Sequence, residues 1–231
     1  MKIFYEDNHV LVVYKESGIL SQEDNTKAPD LLNMVKNYIK VKYNKPGEVY
    51  TGLVHRLDRN TSGIMVFART SKAASRLSED IRNHQFCKRY LCVVEGCLSG
   101  QKELCNYMIR NEKENKSYVT KNINDKLAIL EYKALETKII NNKEYTLVDI
   151  LLKTGRTHQI RCQMANIGHP LYGDAKYGAT PINRNYYALS SYMLTFHHPT
   201  LKDEMTYKYF LPNDIFEYFY NKEDFLKHYN L

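Results

Sequence analysis

Hydrophobic and polar positions divide the first third of the chain into strands and helices. Residues 3–14 contain two apolar runs separated by a polar turn at residues 6–8, which predicts a pair of strands. Apolar residues at helical spacing after Pro29-Asp30 predict a helix that opens there. A second helix is predicted to begin at Thr70-Ser71, because its apolar residues recur at intervals of three and four.

Strand patterns dominate the remainder of the chain. They cover residues 88–96, 105–109, 117–121, 126–140, 144–153, 187–198 and 205–211. Asn141-Asn142 is predicted to form the turn of the longest hairpin, and residues 154–167 are predicted to turn into a helix. Aromatic residues in the tail 214–228 recur at helical spacing, so we expect this tail to close the core.

Many strands joined by short turns, with few helices, predict the fold class. We expect an α+β fold with a mixed, largely antiparallel sheet flanked by a few helices and loops. Since no linker rich in Gly, Pro or Ser marks a boundary, residues 1–231 are predicted to form a single domain.

One polar stretch contains the candidate chemistry. Residues 52–63 read Gly-Leu-Val-His-Arg-Leu-Asp-Arg-Asn-Thr-Ser-Gly, and an apolar run at residues 64–68 predicts a buried strand directly after them. Asp58 is therefore expected on a loop that leads into a core strand, where a reactive side chain is well supported. Local composition alone favours a different interpretation, because an Asp between two arginines is usually a surface ion pair.

Charge indicates the kind of partner. The chain has 33 Lys and Arg against 26 Asp and Glu, a formal net charge of +7 and a pI near 9.0. A basic protein of this kind suggests an anionic partner, RNA or DNA first, although a merely solvated lysine-rich surface fits the charge equally well. The 20 tyrosines supply stacking surfaces, but most are expected to be packing residues.

Cysteine usage and targeting signals point to the cytoplasm. The five cysteines are odd in number and form no Cys-x-x-Cys pair, which argues against structural zinc and a disulfide framework and fits a reducing compartment. The first residues lack the apolar core of a signal peptide, and no apolar run approaches the length of a membrane span. No nucleotide-binding or metalloprotease motif is present, which is consistent with chemistry that uses no cofactor and no metal.

Four segments, in order, resemble the signatures of the RluA-type RNA pseudouridine synthases. They are residues 55–63, Lys88-Arg89-Tyr90, Thr154–Arg161 and residues 169–178; a fifth, residues 196–199, resembles the closing strand motif. Together they span about residues 3–212. The resemblance implies the catalytic domain of that family without the N-terminal RNA-binding S4 domain that many members carry.

The sequence departs from the family pattern at two places. Residues 15–18 read Lys-Glu-Ser-Gly where the family has Lys-Pro-x-Gly, and residues 189–191 read Leu-Ser-Ser where Leu-His-Ala is usual. Neither departure touches the positions of Asp58, Tyr90 or Arg161, so they bear on the choice of substrate more than on the chemistry.

The resemblance implies the reaction and its catalytic residues. Asp58 is the catalytic residue by this match, Arg161 is its cationic partner, and Tyr90 stacks on the uracil or takes a ribose proton. A carboxylate is chemically suited to breaking a glycosidic bond, either as a nucleophile at C1′ or through a glycal intermediate, and the sequence leaves both routes open. The alternatives without a catalytic role are a structural salt bridge for Arg161 and a buried strand tyrosine for Tyr90.

The resemblance also implies how RNA is bound. Arg56 is placed to enter the gap left by a flipped base, while Arg59, Arg156 and Lys88 contact phosphates. The expected partner is a stem-loop of rRNA or tRNA, bound by a monomer. His55 and His158 are predicted to be structural hydrogen-bonding residues, and His197-His198 is expected to pack in a strand and bind no metal.

Two other function classes remain open at this point. One is a non-catalytic RNA-binding or ribosome-assembly factor that retains the fold, which the basic charge and the missing S4 domain favour. The other is a base-removing glycosidase, which needs a second carboxylate as general acid near Asp58.

Overall fold

A computed structural model describes residues 1–219 and 225–231. Within them the chain forms strands β1 Ile3–Glu6, β2 Val10–Lys15, β3 Gly52–Leu53, β4 Ser62–Ala68, β5 Cys87–Glu95, β6 Gln101–Asn111, β7 Lys116–Thr120, β8 Lys126–Ile140, β9 Lys143–Leu152, β10 Leu189–His197 and β11 Glu204–Lys208. The α-helices are α1 Leu31–Lys42, α2 Ser71–Arg82, α3 Gln159–Asn166 and α4 Phe225–His228, and 3-10 helices span Ala175–Tyr177 and Asp214–Phe219.

The chain divides into two compact units. Unit one contains Met1–Cys87 and Met193–Tyr209, and unit two contains Lys88–Tyr192 and the described part of Phe210–Leu231. The pairings β1–β2, β2–β4, β3–β4 and β10–β11 of unit one are antiparallel, as are β5–β9, β9–β8, β8–β6 and β6–β7 of unit two. The predicted α+β fold class, with a largely antiparallel sheet, is confirmed.

The core of unit one is built around strands β2 and β4. Every residue of both strands is buried, and Val10, Val12, Ile64 and Val66 pack in one cluster with Leu77 of α2. The burial of β4 confirms that residues 64–68 form a core strand. This strand follows the loop that contains Asp58.

The two long helices of unit one begin where the sequence predicts. The side chain of Asp30 accepts a hydrogen bond from the amide of Asn33 at 3.0 Å at the start of α1. The hydroxyl of Thr70 accepts one from the amide of Ala73 at 3.1 Å at the start of α2. Both are N-caps that satisfy an amide without a partner inside its own helix.

Unit two is a row of antiparallel strands with α3 against its far edge. Its strand order is β5-β9-β8-β6-β7, and α3 lies against β7. The hairpin β8–β9 turns at Asn141 and Asn142, whose φ angles are 50° and 60°. Two left-handed residues are what a tight hairpin turn requires, and Asn tolerates that conformation. The predicted hairpin is confirmed.

Two strand predictions differ most from the structure. Strand β6 covers Gln101–Asn111 rather than 105–109, because its polar first residues pair with β8. Strand β11 ends at Lys208 rather than 211. The predicted turn into a helix is present: α3 begins at Gln159, and its first six residues are all buried, polar side chains included.

The tail is buried in part, as predicted. Ile215, Phe216, Phe219 and Phe225 have exposures of 4% or less. Residues 220–224 of the predicted 214–228 stretch lie outside the described part of the chain.

Candidate active site

Asp58 lies on the loop between β3 and β4, in unit one. The side chain is half-buried, whereas its neighbours Arg56 and Arg59 are exposed. The carbonyl of Asp58 accepts a hydrogen bond from the amide of Thr61 at 3.0 Å, which closes a tight turn just before β4 begins. The predicted placement of Asp58 on a loop that enters a core strand is confirmed.

A second segment, residues 15–21, lies far from this loop in the sequence and holds it through hydrogen bonds. The hydroxyl of Ser17 donates to the carbonyl of Asn60 at 2.8 Å. The hydroxyl of Ser21 donates to the carbonyl of Leu57 at 2.7 Å and accepts from its amide at 3.1 Å. We call residues 15–21 the clamp segment, because these contacts fix the backbone on both sides of Asp58.

Two hydrogen bonds between Arg59 and Gly18 join the loop to the clamp segment, and each residue donates one of them. The amide of Gly18 donates to the carbonyl of Arg59 at 2.9 Å, and the Nε of Arg59 donates to the carbonyl of Gly18 at 3.1 Å. Gly18 has a φ of 90°, which favours glycine. The Nε of Arg59 is therefore held in place, although the residue as a whole is exposed.

Lys15 is the charged residue of the clamp segment. Its exposure is 0%, and its Nζ donates to the carbonyls of Ile19, Arg59 and Glu16 at 2.6, 2.9 and 3.1 Å. Burial lowers the pKa of Lys15 to about 7, and the negative charge of Asp58 opposes this lowering. No local pattern indicates that Lys15 is buried, so its link to the Asp58 loop was missed.

His55 has the structural role predicted for it. Its Nε2 accepts a hydrogen bond from the amide of Val66 in β4 at 3.1 Å. Its ring also packs edge-on against Phe86, with centroids 5.9 Å apart. His55 therefore ties the start of the loop to the core strand that follows it.

Tyr90 lies in strand β5 of unit two. It is 5% exposed and pairs in register with Ile150 of β9. Side chains alternate between the two faces of a strand, so Arg89 points to the face opposite Tyr90. There Arg89 forms an ion pair with the buried Asp149, and both contact the hydroxyl of Tyr192 at 3.0 Å or less.

Arg161 is buried in α3 of unit two and has a carboxylate partner there. Its Nε and Nη2 donate to Asp174 at 2.6 and 2.8 Å, in a bidentate pair. Its guanidinium carbon lies 4.2 Å from the ring centroid of Tyr187 and 4.9 Å from that of Tyr177. The structural salt bridge considered for Arg161 is present, and its partner is Asp174. A bidentate pair uses two of the five N–H donors of a guanidinium, so this finding leaves the predicted pairing with Asp58 untested.

Asp174 is a second residue that sequence reasoning missed. It is 2% exposed, and it follows Gly173, whose φ is 79°. A Cβ at Gly173 would lie 2.7 Å from the carbonyl oxygen of Tyr186, so a side chain at this position would clash with the backbone. The Gly-Asp pair in the 169–178 loop was the available signal, because its glycine allows the turn and its aspartate reaches Arg161.

The second motif, residues 154–161, is held together by its own side chains. The amide oxygen of Gln159 accepts from the hydroxyl of Thr154 at 2.8 Å and from the amide of Arg156 at 3.0 Å. The Nδ1 of His158 contacts the hydroxyl of Tyr177 at 3.0 Å, which confirms a structural role for His158. Burial raises the pKa of Tyr177 to about 12, so its hydroxyl stays protonated.

The remaining predicted RNA-binding residues lie in the same unit. Arg156 is exposed, and its Nε donates to the carbonyl of Leu127 at 2.8 Å. Lys88 is half-buried, and its Nζ lies close to Gly155. A Cβ added to this glycine would be 3.5 Å from the Nζ. Unit one thus holds Asp58, Arg56 and Arg59, while unit two holds Tyr90, Lys88, Arg156 and Arg161.

His198 is buried, but it lies just after strand β10, which ends at His197, rather than in the strand as predicted. It is 1% exposed, and its Nε2 lies 2.9 Å from Asp7. Among residues 1–219 and 225–231 there is no group of three or more potential ligands that could hold a metal ion. In the same residues, no helix is long and apolar enough to cross a membrane.

Comparison with known proteins gives a consistent result. The model of the RNA pseudouridylate synthase family matches residues 9–166, a range that includes all seven predicted site residues. An uncharacterised RNA pseudouridine synthase of Bacillus subtilis is 32% identical over 94% of this chain and 71% of its own. Ribosomal large subunit pseudouridine synthase D of Haemophilus influenzae is 31% identical over 99% of this chain and 73% of its own.

Solved structures show the same fold. Human RNA pseudouridylate synthase domain containing 4 aligns with a TM-score of 0.71 at 20% identity, over 91% of this chain and 88% of its own. Human RNA pseudouridylate synthase domain containing 1 aligns with a TM-score of 0.70 at 20% identity, over 94% and 92%.

Proposed function

Because this chain belongs to the RNA pseudouridylate synthase family, we propose that it isomerises specific uridines of structured RNA to pseudouridine with Asp58 as its catalytic carboxylate. The observation that carries the assignment is the held loop: Asp58 is half-buried, its backbone is fixed by the clamp segment, and a buried lysine lies in that segment. A side chain held in this way is positioned before substrate binds.

The reaction needs no oxidant and no added group. The bond from C1′ of the ribose to N1 of uracil breaks, the ring turns, and C1′ bonds to C5. The hydrogen on C5 leaves as a proton, and N1 carries a proton in the product. Asp58 acts on the sugar, as a nucleophile at C1′ or by way of a glycal.

Tyr90 and Arg161 take the other two roles at the reacting centre. We propose that Arg161 stabilises the charge of Asp58, since a partly buried carboxylate needs a cationic partner. Its guanidinium is buried and oriented by Asp174 and two tyrosine rings, which supports a fixed position for it. Tyr90 stacks on the uracil or accepts the C2′ proton, and its rigid place in β5 supports either role.

RNA binding is assigned to four basic residues. A uridine inside a helix or loop must be flipped out to be modified, at a cost of a few kcal/mol that is lowest in an open loop. Arg56 is proposed to occupy the gap left by the base, and Arg59, Arg156 and Lys88 to contact phosphates. Arg56, Arg59 and Arg156 are exposed, as these roles require.

A stem-loop of rRNA or tRNA is the proposed substrate, with rRNA tested first. The name of the Haemophilus relative refers to the large ribosomal subunit, which favours rRNA for this chain. We propose that the protein acts as a monomer in the cytoplasm. Its five cysteines all lie in the described part of the chain and form no disulfide there, which supports a reducing compartment.

The test uses RNA that carries tritium at uracil C5. The purified protein is incubated separately with total rRNA and total tRNA, because forming the bond at C5 expels this hydrogen to water. Release from one pool identifies the substrate class. No release from either pool, with tight binding to both, would indicate a non-catalytic RNA-binding protein, and release of free uracil would indicate a glycosidase.

A further inference from the structure

Three strands of unit two, β8, β6 and β7, form a sheet with one open face. Side chains alternate between the two faces of a strand, and cross-strand partners share a face. Met108 of β6, Ala128 of β8 and Val119 of β7 pack in one cluster with Cys162 of α3. Helix α3 therefore covers one face of these strands, and the residues next in sequence to Met108, Ala128 and Val119 point to the other.

The open face has aromatic and apolar side chains at its centre. Ile109 is 50% exposed, Tyr118 is 39% exposed, Leu127 is 37% exposed and Tyr107 is half-buried. Ile109 is the register partner of Tyr118, and Tyr107 is the register partner of Leu127. We call these four residues the aromatic platform. Because they are adjacent, they form a contiguous exposed patch, which is typical of an interaction site.

The two tyrosines of the platform are placed for stacking. The hydroxyl of Tyr118 donates a hydrogen bond to Glu114, and the Nζ of Lys116 lies 5.2 Å from the centroid of its ring. Tyr107 pairs with Thr120, two positions after Tyr118, so the two tyrosines are diagonal neighbours about 7–8 Å apart. A sheet that presents aromatic rings in this way is how one common class of RNA-binding domain stacks two or three bases.

The strands that form the platform are basic. Residues 101–133 contain seven Lys and Arg against five Asp and Glu. Three of the five acidic side chains are in ion pairs with Lys153 or Arg110. Positive charge beside exposed rings is the combination that binds single-stranded nucleic acid, because the cations contact the backbone while the bases stack.

The platform also continues from the RNA-binding surface proposed above. The Nε of Arg156, a proposed phosphate contact, donates to the carbonyl of Leu127 at 2.8 Å. Leu127 is the platform residue opposite Tyr107, and Tyr118 is the diagonal neighbour of Tyr107. A strand of RNA held at Arg156 therefore passes directly onto the two tyrosines.

The outer edge of β7 is closed to a partner strand. The amide of Ser117 donates to the hydroxyl of Tyr177 at 2.8 Å, and its hydroxyl donates to the carbonyl of Thr157 at 2.7 Å. A protein partner that adds a strand to a sheet needs unpaired backbone groups at the edge. The amide of Ser117 is already used, so the face of this sheet is more accessible to a partner than its edge.

We propose that the aromatic platform binds a single-stranded segment of RNA, with one base stacked on Tyr118, another on Tyr107, and the backbone near Lys116 and Arg156. The proposal rests on the proposed function for its RNA partner and extends it, because the segment bound here flanks the stem-loop that is modified. Substrate preference then depends on the flanking strand as well as on the stem-loop.

The test uses tryptophan as a local reporter, since the chain contains no tryptophan. Tyr118→Trp places the fluorophore on the platform. Tyr218→Trp is the matched control, because Tyr218 is a 56% exposed tyrosine of the same unit whose carbonyl is bonded by Lys138, at the end of β8 far from Leu127. The probe is an oligoadenylate of about 12 nucleotides, within the site size of single-strand binders. It contains no uridine, so its binding is independent of the reaction.

We expect oligoadenylate to quench the fluorescence of Tyr118→Trp saturably, with an affinity that falls as salt rises, and to leave that of Tyr218→Trp unchanged. The anisotropy of labelled oligoadenylate measures the affinity of variants without tryptophan. Tyr118→Ala and Tyr107→Ala should each bind about 5-fold or more weakly than wild type, as for the loss of one stacked base. Tyr118→Phe keeps the ring and loses the bond to Glu114, so its affinity should stay within about twofold of wild type.

Three results would each overturn the proposal. They are a lack of quenching of Tyr118→Trp, wild-type affinity in both alanine variants, and a wild-type dimer in sedimentation that Tyr118→Ala converts to a monomer, which would assign the platform to a second copy of the chain. If Tyr118→Trp does not fold, the alanine variants decide. Tritium release without oligoadenylate binding would contradict the platform alone, whereas oligoadenylate binding without tritium release from any RNA would contradict the proposed function alone.

Discussion

Arg161 and Asp174 form a bidentate ion pair, with Nε–Oδ2 and Nη2–Oδ1 distances of 2.6 and 2.8 Å, and both side chains are buried. The pair joins the motif at residues 154–161, which runs into α3, to the motif at residues 169–178, and both lie in unit two. The rings of Tyr177 and Tyr187 lie near the guanidinium. Arg161 is therefore fixed in position by residues of its own unit.

Removing Asp174 should leave a buried arginine without its carboxylate. We expect Asp174→Asn to lower the free energy of unfolding by about 3–5 kcal/mol, the usual effect of breaking a buried pair. Glu112→Gln is the control, since Glu112 is exposed and pairs with Arg110 at the surface, where the expected loss is below about 1 kcal/mol. Urea unfolding of both variants measures the difference, and equal losses would show that the buried pair has no special role.

The clamp segment should affect both stability and turnover. Ser21 is buried, and its hydroxyl satisfies both the amide and the carbonyl of Leu57. Ser21→Ala should therefore cost about 1–3 kcal/mol of stability and reduce the rate of tritium release by about 10-fold or more, because the backbone before Asp58 is released. Thr70→Ala, which removes the cap of α2, should cost about 1 kcal/mol and leave the rate unchanged. Equal rates for the two variants would show that the clamp does not position Asp58.

The stability of the protein should depend on the protonation of Lys15. Burial lowers the pKa of Lys15 from 10.5 to about 7, so between these values the unfolded chain binds a proton that the folded chain does not. The free energy of unfolding should therefore rise with pH in this window, by at most about 1.4 kcal/mol per pH unit. Urea unfolding at pH 6, 7.5 and 9 measures the rise as the difference between wild type and Lys15→Met. A difference that stays constant with pH would mean that Lys15 has the same pKa in both states.

The exposed arginines should account for part of the salt dependence of RNA binding. Arg156→Ala is expected to weaken binding and to reduce the slope of log K against log salt concentration by about one, as for the loss of one phosphate contact. Arg82→Ala serves as the control, since Arg82 is an exposed residue of α2 with no assigned binding role. Filter binding at several salt concentrations gives the slopes, and identical slopes for both variants would remove Arg156 from the RNA interface.

Local pattern was sufficient to predict most of the fold. The burial of β4 follows from an unbroken apolar run, the starts of α1 and α2 from Asp30 and Thr70, and the β8–β9 turn from a pair of asparagines. Each of these features depends on residues close in sequence. The extent of β6 was missed because its polar first residues are strand only through their pairing with β8.

Long-range contacts at the candidate site could not be predicted in this way. The local pattern does not indicate that Lys15 is buried, and one of its hydrogen-bond partners is a carbonyl 44 residues away. Asp174 reads as one polar residue in a glycine-rich loop, and its partner Arg161 was expected to pair with Asp58. In both cases a charged side chain is buried by contacts with residues distant in sequence, and local hydrophobic periodicity does not indicate such contacts.

The catalytic role of Asp58 is tested most directly by single-turnover tritium release from C5-labelled RNA by wild type and Asp58→Asn. The control is Asp203→Asn, which changes an exposed carboxylate in the turn between β10 and β11 of the same unit. We predict that Asp58→Asn folds, binds RNA with an affinity close to that of wild type, and releases no tritium above background, while Asp203→Asn matches wild type. Turnover by Asp58→Asn at the wild-type rate would contradict the assignment of Asp58 as the catalytic residue.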